Sequence, residues 1–211
     1  MSQVQLVPGI VYHIYNRGNN GENIFLEDRN YAYFMKLYSK YIEPIKETYA
    51  YCLLHNHFHF MVRVKTLDEI YEHASSEEAC SSSTSGVEGG SLEKFISKQF
   101  ASFFGTYTKA FNKATSRTGT LFEGRFKCKP ITNDRYFKTL VIYIHQNPQK
   151  HGLISDFRDW HFSSYQSMLS EQPTQLARDV TLSWFDDRRG LSQYHEAIGN
   201  FREISSFIDD D

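Results

Sequence analysis

The chain has 211 residues, 40% hydrophobic and 23% charged, with a formal net charge of −2; this suits one well-cored domain with a smaller appendage and excludes two full domains. Its uninterrupted apolar runs, Leu140 to Ile144 among them, are far shorter than the roughly 18 residues of a membrane span, and "MSQVQLVPGIVYHIYNRG" lacks the basic start and apolar stretch of a secretory signal, so a cytoplasmic protein with no membrane partner is expected. Cys52, Cys80 and Cys128 stand far apart with no C-x-x-C spacing, which argues against a disulfide framework and a thiolate zinc site.

"GIVYHIYNRGN", Gly9 to Asn19, alternates apolar and polar residues up to a Gly/Asn turn, the pattern of a strand. "LEDRNYAYFMKLYSKYIEPI" spaces Tyr31, Phe34, Leu37, Tyr38, Tyr41 and Ile42 three and four apart, which predicts an amphipathic helix stopped at Pro44. "KETYAYCLLHN" and "HFHFMVRVK" follow as two β-type runs hinged near His55 and Asn56, a predicted antiparallel hairpin. Ser, Gly and Glu dominate Glu72 to Ser91, which offers little to bury and is expected to be a flexible insertion. From Leu92 a long helix resumes, with Phe95, Ile96, Phe100, Phe103, Phe104, Tyr107 and Phe111 on or near one face.

"TGTLFEGRFKCKPI" reads as another strand, with Arg125, Lys127 and Lys129 on one face and Phe126 and Cys128 on the other. It lies in a basic section: Tyr107 to His151 carries +7 and the remainder of the chain −9, so the near-neutral sum conceals a local affinity for anions. "NDRYFKTLVIYIHQ" opens on an Asn/Asp cap and is predicted to run as a helix to Asn147-Pro148, because proline disfavours helical geometry in the residue before it. The order β-α-β-β-α-β-α predicts an α+β fold of the ferredoxin-like or RRM-like kind, an antiparallel sheet flanked by helices. It occupies residues 1–151, and residues 152–211 read as a partly helical C-terminal extension ending in the acidic "SSFIDDD".

Within "LLHNHFHFMV", strand geometry predicts that His55, His57 and His59 share a face while Leu54, Asn56, Phe58 and Phe60 take the other. A lone strand histidine is ordinarily a hydrogen-bonded, half-buried residue. Three at alternate positions each need a polar partner, and two imidazoles about 7 Å apart on one face can share an ion. The row is compatible with a histidine-triad nucleotide hydrolase, although Asn56 breaks that family's apolar spacing. It is also compatible with a His57-Phe58-His59 pair holding a divalent ion over a scissile phosphate. On the last helix Tyr143 and Asn147 are four apart and face the same way, so a phenol and an amide oxygen can meet one site. Read on that helix alone, Tyr143 is one of fourteen tyrosines on an apolar stripe.

Four stretches, "VYHIYNRGNN", "HNHFHFMV", "FNKATSRTGTLFEGRFKCKPI" and "YIHQNP", followed by "DWHFSSY", occur in an order and spacing that resembles the HUH single-tyrosine transposases of bacterial insertion sequences, most of all the branch associated with repetitive extragenic palindromes. The resemblance spans about residues 8 to 165. It implies that His57 and His59 bind a divalent metal ion with Asn147, that Tyr143 is the catalytic nucleophile, and that the ion is Mg2+ or Mn2+, although paired imidazoles hold later transition metals more tightly. His55 departs from it, since that position is commonly proline in the family.

The implied reaction is cleavage and strand transfer of single-stranded or hairpin DNA through a 5′-phosphotyrosine, that is, DNA transposition by a monomer or homodimer. Arg17, Arg125, Lys127 and Lys129 are the candidate DNA-binding residues, with Phe122 and Phe126 more at home in a core than stacked on bases. A binder of palindromic DNA that no longer cuts is the alternative within the same fold.

Overall fold

The computed structural model describes residues 6–76 and 92–197. Strands β1 (Val11–Arg17), β2 (Lys46–Leu53), β3 (His57–Val64) and β4 (Lys127–Pro130) make one antiparallel sheet in the order β2-β3-β1-β4. This is the ferredoxin-like arrangement that the alternation and helical spacings predict. Helices α1 (Asp28–Tyr41) and α3 (Leu92–Ala114) cover one face, where Phe34, Tyr38, Phe103 and Tyr107 pack on Ile14, Phe58, Phe60 and Val62. Phe122 and the half-buried Phe126 also belong to this core. An unexpected helix, α2 (Leu67–Ser76), follows β3 and enters the first residues of the Ser/Gly-rich stretch; the rest of that stretch, and Ser205 to Asp211, lie outside the described residues. No helix among the described residues is long and apolar enough to cross a membrane.

Helix α4 (Asp134–Lys150) lies on the opposite face of the sheet. Its start is set by Asn133, whose side chain accepts from the Tyr136 N–H at 2.9 Å. Its end departs from expectation, because the helix continues through Pro148. A proline in the last turn loses the bond to the carbonyl one turn back and crowds that carbonyl without ending the helix, and Gly152 supplies the stop instead. With φ +67° at Gly152, the Gly152 N–H bonds the Gln149 carbonyl at 3.0 Å and the Leu153 N–H bonds the Pro148 carbonyl at 2.9 Å. The helix thereby carries Lys150 and His151 one turn beyond Asn147.

The C-terminal extension wraps the outer side of α4. Helices α5 (Tyr165–Leu169), α6 (Arg178–Ser183) and α7 (Arg188–Ala197) contribute Met168, Leu182 and Leu191, with Phe185 between α6 and α7, to a core shared with Leu140, Val141 and Ile144. Backbone bonds from Leu53 to Phe162, Ser164 to Tyr51 and Ala177 to Thr48, each 2.9 Å, cover the outer edge of β2, which would otherwise expose pairing groups. Enclosed between sheet and extension, α4 is buried continuously from Leu140 to Pro148.

Candidate active site: strand histidines facing a helical tyrosine

The pleat of β3 sends Phe58 and Phe60 into the α1/α3 core and turns His57, His59 and Met61 toward α4. Strand β1 is registered against it with Arg17 opposite His57, Tyr15 opposite His59 and His13 opposite Met61. Strand β4 places Lys127 opposite Tyr15 and Lys129 opposite His13. One face of the sheet therefore gathers imidazoles, a phenol and cationic side chains beneath α4.

From α4, Asn147 is fully buried and holds its Oδ1 3.3 Å from His57 Nε2. One turn earlier Tyr143, 1% exposed, sets its ring edge-on to His59 with centroids 5.5 Å apart and to His13 at 6.4 Å. The Lys150 ammonium sits 4.7 Å from the Tyr143 ring centroid, and the His151 ring is 4.8 Å from that of His57. A cavity of about 260 Å³ opens beside these groups, with His57, His59, Tyr15, Arg17, Lys127 and His151 in its wall; Tyr143 lies behind that wall. His57, His59, Asn147 and Tyr143 thus converge as the sequence suggests.

Two expectations change. His55 is not on the strand: β2 ends at Leu53, β3 begins at His57, and the alternation does not extend into the turn between them. Its Nδ1 is 2.9 Å from the Tyr31 hydroxyl on the α1 side, and its carbonyl accepts from the N–H groups of Ile24 and Phe25. A row of three strand histidines, which the triad hydrolase reading needs, is therefore not formed. Arg125 lies on an exposed bend before β4 rather than in line with Lys127 and Lys129, because pairing with β1 starts only at Lys127. Arg17 reaches the cavity but is ion-paired there with Glu123, whose carboxyl it holds below the usual carboxylate range.

Several contributors escape a reading of the sequence. His13 hydrogen-bonds His59, Nε2 to Nδ1, at 2.9 Å. Period-two alternation does put it on the polar face of β1, but its neighbour on β3 depends on a strand order that no local pattern specifies. Lys150 and His151 follow from the helix outlasting Pro148. Asn56 Oδ1 lies 2.7 Å from His57 Nδ1.

These groups fit a single divalent cation. Asn56 Oδ1 is an acceptor, so His57 Nδ1 carries the proton and Nε2 the lone pair. Nε2 then faces a second acceptor, Asn147 Oδ1, while the Asn147 amide nitrogen is buried with no hydrogen-bond partner among the described residues. A shared cation resolves two acceptors facing each other; a half-turn of the amide resolves them without one. Burial, followed by the neighbouring His13 and His57, pushes the His59 pKa well below its ordinary value, so its ring is neutral, the form that binds metal. Among the described residues no three His, Cys, Asp or Glu side chains are grouped to hold a metal. Two imidazoles and one amide leave coordination positions open, the condition for a catalytic rather than a structural ion.

No family model matches the chain. A curated protein of Haemophilus influenzae, named "Putative REP-associated tyrosine transposase", is 24% identical over 150 residues, which are 67% of this chain and 76% of that protein. A solved structure of a REP-associated tyrosine transposase bound to a REP hairpin superposes with a TM-score of 0.51 at 21% identity, covering 86% of this chain and 94% of the other. In sequence and in fold the chain is thus similar to tyrosine transposases. Within that class it resembles the REP-associated branch.

Proposed function

We propose that this protein cleaves and rejoins single-stranded DNA, with Tyr143 as nucleophile and His57, His59 and Asn147 as ligands of a Mg2+ or Mn2+ ion. The observation that carries the reading is the meeting of β3 and α4, which brings the Tyr143 ring within 5.5 Å of His59 and Asn147 Oδ1 within 3.3 Å of His57. The Tyr143 oxygen attacks the scissile phosphorus and the 3′ oxygen leaves, so a 5′-phosphotyrosine and a free 3′-hydroxyl result and the phosphodiester energy is kept for rejoining. The bound ion would supply Lewis-acid polarisation of the phosphate. Arg17, Lys127 and Lys129 contact the DNA backbone, and Lys150, above the Tyr143 ring, favours negative charge developing on the phenol. Hairpin DNA is the substrate proposed, by analogy with the hairpin-bound relative. All four central side chains come from one chain, which supports action as a monomer.

A second reading is favoured by one feature: Tyr143 is buried behind the cavity wall. Under it the protein holds hairpin DNA without cutting. Hairpin DNA labelled at its 3′ end, incubated with protein and Mn2+ and then run on a denaturing gel, separates the two. A labelled protein band that disappears in Tyr143→Phe supports cleavage. DNA binding without any covalent band in the wild type refutes it.

A further inference from the structure

A neutral imidazole has two tautomers, and only the nitrogen without a proton can bind a cation. For His57 the choice is made by its neighbour in sequence, since Asn56 Oδ1 at 2.7 Å accepts the Nδ1 proton and assigns the lone pair to Nε2. For His59 the corresponding nitrogen is Nδ1. Its partner there is His13, two residues before the β1 position opposite it, at 2.9 Å. The two rings are nearly parallel with centroids 5.1 Å apart, and the Tyr15 ring stacks against both, 4.6 Å from His13 and 5.9 Å from His59. Both histidines are buried, so rotation of either ring is resisted by its packing.

The bond between the imidazoles has two possible directions. If His13 donates, the proton of His59 sits on Nε2, and His59 cannot bind an ion through it. If His59 donates from Nδ1, its Nε2 carries the lone pair, and His13 is the acceptor. His13 itself is not on the cavity wall, which His57 and His59 form, so it acts behind the site rather than in it. We propose that His13 is a positioning residue: its Nε2 accepts the Nδ1 proton of His59 and so fixes the ring and tautomer in which His59 presents Nε2 to the ion. The inference rests on the metal-site reading above. It gives β1 a part in the site beyond carrying Arg17. The role is one that a carboxylate or a backbone carbonyl commonly fills behind metal-bound histidines. A neutral imidazole does it without adding negative charge near a DNA phosphate.

The test uses the full-length protein without DNA. Mn2+ is titrated into wild type, His13→Gln, His13→Leu and His59→Ala, free Mn2+ is read by electron paramagnetic resonance, and thermal melts report folding. Gln retains a side-chain acceptor and Leu removes it. The expected result is a loss of Mn2+ affinity of about 10- to 100-fold for His13→Leu, with His13→Gln within about threefold of wild type. In parallel, nitrogen-15 spectra of the wild-type imidazoles should show His59 protonated at Nδ1, a reading that stands even if a variant fails to fold. Unchanged affinity in His13→Leu while His59→Ala loses binding, or a proton on His59 Nε2, overturns the role of His13 alone. His59→Ala binding Mn2+ as tightly as wild type overturns the metal site, and the role of His13 with it.

Discussion

Lys46 is the side chain the α1/α3 core has least means to solvate. It is 2% exposed, its Nζ lies 4.1 Å from the centroid of the Phe100 ring, and among the described residues no group accepts a hydrogen bond from it. Burial pushes its pKa well below the ordinary lysine value, with Cys128 acting weakly the other way. In the unfolded chain a lysine stays protonated until about pH 10.4. The unfolded state therefore binds more protons than the folded one below that pH, and stability is lost as pH falls from about 10.4 toward the folded value, by up to about 1.4 kcal/mol per unit. Lys46→Met keeps an unbranched side chain and removes the stranded amine. Protein mutational data put an unsatisfied buried polar group at about 1–3 kcal/mol, so the variant should be more stable at pH 7 by that amount. For a chain of this size the gain corresponds to roughly 2–12 °C in Tm. Thermal and urea unfolding of both proteins at pH 7 and pH 10 measures it, and the gain should shrink at pH 10, where the unfolded lysine also begins to lose its proton. A variant less stable than wild type at pH 7, or equally favoured at both pH values, would refute the reasoning.

His195 donates to the Leu191 carbonyl at 2.7 Å and accepts from His145, which in turn accepts from Ser164 at 2.8 Å, a chain fastening α7 and the extension to α4. Burial pushes His195 down to about 4, opposed by the Leu191 carbonyl; the stability it contributes is complete above pH 6.5 and lost as pH falls toward 4, about 3 kcal/mol in all, so urea midpoints should drop between pH 7 and pH 4.5, and less steeply in His195→Gln. Glu123→Gln removes the carboxylate that competes with a DNA phosphate for Arg17, and hairpin affinity should rise by about three- to tenfold at low salt, an unchanged binding isotherm counting against Arg17 as a phosphate contact. Gly152→Ala meets open space but must adopt φ +67°, and should lower stability by about 1–2 kcal/mol in urea unfolding.

What the sequence discloses and what it hides divide along one line. Alternation in "VYHIYNR" and "HFHFMVRV" and the three-four spacing of Phe34, Leu37 and Tyr38 are local patterns, and they yield the sheet, the hairpin and the helices. Motif spacing likewise brings out His57, His59, Tyr143 and Asn147. Features decided by competition between distant or opposing signals stay hidden. Pro148 announces a helix end that Gly152 provides four residues later, so Lys150 and His151 arrive over the site unannounced. His55 shares its neighbours' spacing but falls in the turn, where Tyr31 claims it. The contact of His13 with His59 needs β1 beside β3, a matter of topology rather than of either strand's own residues.

The central claim is that the phenol of Tyr143 becomes bonded to DNA. Wild-type protein incubated with hairpin DNA and Mn2+, digested and analysed by mass spectrometry, should yield a single nucleotide-modified peptide, the one containing Tyr143, and no such peptide when Mn2+ is removed by chelation. A modified peptide centred on any other tyrosine, or hairpin cleavage with no covalent peptide at all, would contradict it.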